Sequence, residues 1–130
     1  MMRTARAAVH LADHLHEVPV LLFVCMLPRD LPLLADADRS RNGAALYASV
    51  FPAVQNILLA CRALGLGCTL TTLYLNFEKE AEAAMGLPAD VHSYAILPIG
   101  YPMGNFGPVR RAPLQSVVYQ DRWGEAYQGE

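Results

Sequence analysis

Apolar positions along the chain fall into three kinds of run, and each predicts a different element. Two runs are continuous. PVLLFVCM (residues 19–26) and VHSYAILPI (residues 91–99) carry too few polar positions for a half-solvated strand, so both read as strands buried on both faces. The first is expected to be central in its sheet. One run is periodic. Tyr47, Val50, Phe51, Val54, Ile57, Leu58, Cys61 and Leu64 recur at three- and four-residue steps, which predicts a long helix over residues 44–64 with a broad apolar stripe. Pro52 should kink or break it, and Gly65 and Gly67 should stop it. One run, CTLTTLYL (residues 68–75), is β-branched and alternating, which predicts a short strand.

Polar punctuation supplies the rest. Residues 4–16 can form a short helix with Val9, Ala12 and Leu15 inward. The stretch PRDLPLLADADRSRNG (residues 28–43) reads as a surface loop. Asn76 can cap a helix whose first turn holds Glu78 and Glu80, where the helix dipole favours anions. Gly86 and Pro88 end that helix, and residues 114–119 are a further candidate strand. The order is helix, strand, long helix, strand, helix, strand, tail. That is a mixed α/β layout, a sheet covered by helices. The long helix has more apolar surface than one small sheet needs. A dimer partner explains the surplus, and a single core helix explains it nearly as well.

Composition narrows the class. The chain has 130 residues, 54% hydrophobic and 17% charged, so it is one packed domain or part of one. A net charge of −2 gives no basic field for nucleic acid. No apolar run is long enough to span a bilayer. The N-terminus holds Asp13, His14, His16 and Glu17 and no secretory core. Cys25, Cys61 and Cys68 are odd in number and have no metal spacing, which points to a reducing cytoplasm.

Candidate chemistry is sparse. His10 and His14 have the i, i+4 spacing of a helical metal pair but no third ligand, and read as solvated. His92 reads as an edge residue, and Glu78, Glu80 and Glu82 as a solvated helix face. No G-x-S-x-G, P-loop or G-x-G-x-x-G is present, and no catalytic acid–base group stands out. Two features remain. GLGCTLTTL places glycines before a threonine-rich strand, where exposed amides could meet a flat ligand; a helix cap followed by a plain strand is the blander reading. Arg110 and Arg111 sit between Pro108 and Pro113. Guanidinium forks match phosphate bidentately, and a solvated pair is the alternative.

Three segments in combination resemble the nitroreductase family of flavin-dependent oxidoreductases. ASVFPAVQNILLACRALGLGCTLTTL (residues 48–73) is similar to its long helix, with Gln55–Asn56, running into the flavin-side strand. MGLPADVHSYAILPIGYP (residues 85–102) and RRAPLQSVVYQDRWG (residues 110–124) are similar to its later segments. The resemblance covers about residues 17–124. It implies an α+β sheet flanked by helices, and a homodimer binding FMN at the subunit interface. Arg111, with Arg110 second, would hold the FMN phosphate. The backbone of Thr71, Thr72 and Leu73 would lie beside the ring and donate to flavin N5. Hydride would pass from NAD(P)H to FMN and on to a nitroaromatic, quinone or similar acceptor. The family's opening R-R-S-x-R-x-F is not reproduced in MMRTARAAVH, so the N-terminal portion of the domain is expected to be missing from residues 1–130. The alternative this raises is a truncated, non-catalytic dimerisation or interaction module.

Overall fold

A computed structural model describes residues 2–27, 39–108 and 111–127. The elements are α1 (Met2–Asp13), β1 (Val20–Met26), α2 (Arg39–Ala63), β2 (Gly67–Cys68), α3 (Glu78–Ala84) and β3 (His92–Gly100). Short 3-10 turns lie at Leu15–Glu17, Leu73–Phe77 and Leu114–Ser116. Most of the predicted loop 28–43 lies outside the described residues, and its last five residues belong to α2.

The sheet has three strands in the order β1-β3-β2, antiparallel throughout. β3 is the central strand, and Ser93 through Pro98 are all buried, as its unbroken apolar run predicts. β1 is not central. It is an edge strand whose first residues, Val20, Leu21 and Leu22, are exposed. An unbroken apolar run cannot distinguish a central strand from an edge strand, because both look the same in sequence.

The pairing of β1 with β3 shifts register once. Val24 lies opposite Ala95, and the next residue, Cys25, lies opposite Ser93, so Tyr94 is the extra residue of a β-bulge. The bulge alters the alternation of β3. Tyr94, Ala95 and Leu97 all join the core under α2 with Val50 and Val54. Ser93 and Ile96 serve the other side: Ser93 meets α3, and Ile96 lines a cavity beside α1. Tyr47 stacks on Phe51 at 5.3 Å between ring centres and meets Tyr94 edge-on at 5.5 Å. Each buried side chain of this size contributes about 1.5–3 kcal/mol of transfer free energy.

α2 runs unbroken through Pro52. Pro52 removes one hydrogen bond, but it and Ala48 are on the exposed side, where water can satisfy the freed carbonyl. The helix stops at Gly65, whose φ of +75° turns the chain left-handed. The amides of Gly65 and Leu66 donate back to the carbonyls of Arg62 and Cys61, at 3.2 and 2.8 Å. This is a Schellman ending, and only glycine adopts that φ without strain.

The predicted strand over residues 68–75 is largely absent. Only Gly67 and Cys68 pair as β2, and Thr71 alone rejoins the sheet, exchanging two hydrogen bonds with Ile96 at 3.0 and 3.1 Å. Local bonding takes the chain out of the ladder. The Leu73 amide leans toward Thr71 Oγ1 at 3.4 Å, and the Leu75 amide donates to the Thr72 carbonyl at 3.1 Å. Asn76 does not cap α3. Its side chain donates to the Leu73 carbonyl at 3.0 Å, and Phe77 occupies the cap position. The candidate strand 114–119 is a 3-10 turn followed by one isolated bridge, Tyr119 to Ala126. The Arg62 guanidinium lies 4.0 Å from the centre of the Phe106 ring and ties the segment after β3 to α2.

Candidate functional site

α1 lies opposite the segment after β2, and a cleft runs between them. One lobe, about 490 Å³, is lined by Ala7, Ala8 and Leu11 of α1 and by residues 69–73. A second lobe of about 230 Å³ shares Leu11, Thr71 and Leu73 and continues to Leu15, Tyr74, Phe77 and Ile96. Thr71 to Leu73 therefore form the rim between an open slot and an apolar one. Two alanines on α1 keep the slot wide. The larger lobe lies within the range of ordinary small-molecule sites, roughly 300–1,000 Å³.

The three threonine-segment residues predicted from sequence are not equivalent. Thr71 uses both its amide and its carbonyl on Ile96. The Leu73 amide is held weakly by Thr71 Oγ1. The Thr72 amide has no hydrogen-bond partner among the described residues and is exposed. It is the donor at this rim that is open to a ligand. Gln55 and Asn56 are exposed on α2 and do not line the cleft.

The arginine pair is apart from this slot. Arg110 lies outside the described residues. Arg111 is exposed and lines neither lobe. Within one chain, the structure does not bring Arg111 and the Thr71–Leu73 rim together. Among the described residues, no arginine or lysine lines either lobe, nor the adjoining cavity of about 400 Å³ under Pro98, Ile99 and Gly100.

That adjoining cavity holds residues that sequence reasoning set aside. His10, His14 and Glu17 line it together with Gly67, Cys68 and Tyr101. His14 Nδ1 meets Glu17 Oε1 at 2.8 Å, and this contact holds the Glu17 carboxyl below its usual pKa. Cys68, in the same wall, has its thiol pushed up to about 11 by burial first and then by the neighbouring Cys61 thiol. The i, i+3 spacing of His14 and Glu17 was the available signal for this wall, but the helix end it belongs to gives no hint of what it faces.

The other correction lies on α3. Glu82 is not a solvated side chain: it is half-buried, and its Oε1 accepts both the amide and the hydroxyl of Ser93, at 2.8 and 3.1 Å. Ser93 is fully buried.

The fold is an α+β domain, with a small antiparallel sheet, helices on both faces and a slot at the β2 edge. The comparisons with known proteins give it a family. The nitroreductase family model matches residues 2–101. A solved structure from Parabacteroides distasonis, described as an NADH dehydrogenase/NAD(P)H nitroreductase, superposes with a TM-score of 0.59 at 25% sequence identity. The match takes in 79% of this chain and 55% of that one, so the chain spans about half the length of that structure. The chain belongs to the nitroreductase family. Among the described residues, no helix is long and apolar enough to cross a membrane.

Proposed function

We propose that the chain serves an FMN-dependent oxidoreductase of nitroreductase type, which carries hydride from NAD(P)H to a nitroaromatic, a quinone or a similar acceptor. The observation that carries this reading is the open Thr72 amide on the rim of a slot walled by Ala7, Ala8 and Leu11. A flat ring needs an apolar slot with a hydrogen-bond donor at its edge, and the ring half of FMN fits the residues present. FMN, when bound, supplies the hydride chemistry, and the protein supplies position and polarity. Thr72 and Leu73 donate at the edge of the ring, Leu11 excludes water from one face, and Thr71 fixes the rim to the central strand.

The phosphate half is not completed by the slot's own lining. In this reading Arg111, with Arg110, reaches the slot of a second copy in a cytoplasmic homodimer. Arginine suits that role because its fork pairs with two phosphate oxygens at once.

Titration of the purified protein with FMN tests the reading. Flavin fluorescence should be quenched saturably, and Arg111→Ala should weaken binding about tenfold or more, the effect of losing one charge-assisted bond, while moving the melting temperature little. No quenching at high micromolar FMN would remove the enzyme reading. Equal binding by mutant and wild type would remove Arg111 alone.

A second reading, a non-catalytic dimerisation or interaction module, is favoured because no arginine or lysine among the described residues lines the slot. It predicts assembly without flavin binding.

A further inference from the structure

At the end of the sheet where β3 begins, three metal-ligating side chains converge. Glu78 and Glu82 are four residues apart on α3, and His92 is the first residue of β3. His92 Nδ1 lies 4.0 Å from Glu78 Oε1 and 3.7 Å from Glu82 Oε2. One ligand atom from each residue lies within 4.8 Å of the other two. The cluster is partly withdrawn from water, with side-chain exposures of 25, 14 and 30% for Glu78, Glu82 and His92.

Three details make this more than a patch of surface acid. First, the donors are mixed, one imidazole nitrogen with two carboxylates, and they come from two different elements. Second, Glu82 is oriented from outside. Ser93 holds Oε1 with two hydrogen bonds and leaves Oε2 on the side of His92. Ligating carboxylates in metal centres are held in this way. Third, the Tyr74 hydroxyl is buried with no hydrogen-bond partner among the described residues. Burial raises its pKa, and Cys25, Glu78 and Glu82 add to the rise while the Ser93 hydroxyl nearby opposes it.

We propose that Glu78, Glu82 and His92 form a site for one divalent first-row transition ion, with Zn2+ as the type. Ligand atoms about 3.4 Å apart are the edges of a tetrahedron with bonds of about 2.1 Å. The observed separations need only a small contraction. Three protein ligands leave one position for water. Nitrogen with oxygen selects Zn2+ or Co2+ over Mg2+, which prefers oxygen alone, and over Cu+, which prefers sulfur. Occupancy would fasten α3 to the central strand. The site is independent of the flavin reading, since none of its three ligands lines the slot.

Titration of the full chain with Co2+, followed by visible absorption and by competition with Zn2+, tests the proposal. One equivalent should bind with the intense bands of a low-coordinate ion, and Zn2+ should displace it. Zn2+ should also raise the melting temperature, and a chelator should reverse that rise. Glu78→Gln and His92→Gln should each weaken binding at least tenfold. Binding should weaken in acid, because protons compete with the metal for its ligands. His10→Gln combined with His14→Gln should leave it intact. Metal binding that survives both Glu78→Gln and His92→Gln, that is lost in the His10/His14 double variant, or that never reaches one equivalent overturns the site. Glu78 lies on α3 and outside the sheet. Its variant therefore keeps the question decidable if His92→Gln does not fold.

Discussion

Ser93 gives both of its donors to one oxygen of Glu82, in a place where no water reaches the serine. Truncating the acceptor leaves two buried donors unpaired, and that is costlier than losing an exposed bond. Glu82→Ala should therefore cost about 1–3 kcal/mol, and urea unfolding will measure it. Glu80→Ala, one position away on the exposed side, should lie within about 0.5 kcal/mol of wild type. Cys68 supplies the pH prediction. Its thiol titrates near 11, above the ordinary 9.0, because burial and Cys61 disfavour the thiolate. A raised acid stabilises the fold in its protonated form. That contribution is whole below the ordinary thiol range and is lost as the pH climbs through about 11. Alkylation read by mass spectrometry should find Cys68 slower than a small free thiol at pH 8, and equal rates would mean that the thiol is not shielded. None of this was legible in sequence. Glu82 belongs to an acidic run that looks solvated, and Ser93 is eleven positions away. Their meeting depends on where α3 docks.

Among the elements, the two with unbroken or periodic apolar patterns, β3 and α2, were the most legible. Their burial is decided by their own residues. Leu97, fully buried at the centre of β3, should cost about 2–5 kcal/mol when changed to Ala. Gly65→Ala should cost about 1–2 kcal/mol, although nothing lies within 4 Å of the added carbon, because the penalty is the left-handed φ itself. Thermal melts of the two variants separate a packing loss from a backbone loss. The illegible elements were those settled by competition. Residues 68–75 have strand-forming side chains, yet the threonines bond locally and the segment meets the sheet only at Thr71. Likewise β1 and β3 carry the same kind of apolar run, and only the order of strands decides which of them is central.

For the whole molecule, the question is what lies on the outer face of α2. Val54 points into the core and is 2% exposed, so a charge there would unfold the chain and would say nothing of assembly. Leu59, at 58%, is on the other side. If α2 forms the homodimer contact of the proposed enzyme, Leu59→Asp should shift the protein from dimer to monomer in sedimentation while its melting temperature stays close to wild type. A wild-type monomer, or an unchanged dimer, would exclude that face. Family membership was legible because separated segments agree with one another; residues 48–73 and nearly all of 85–102 lie within the matched 2–101, and residues 110–124 lie beyond it. The site was legible in part. Thr71 to Leu73, expected beside a flavin ring, line a slot, but its opposite wall, α1, carries no motif that announces it. Arg111 could not be joined to it through one chain.

The extra residue at Tyr94 has a consequence for how the domain can change. It acts as a half-step in the phase of the central strand, so the two ends of that strand obey separate rules of inside and outside. Deleting it would restore strict alternation: Ser93 would stay on the side of α3 and Ile96 on the side of α1, and the core under α2 would lose one aromatic ring.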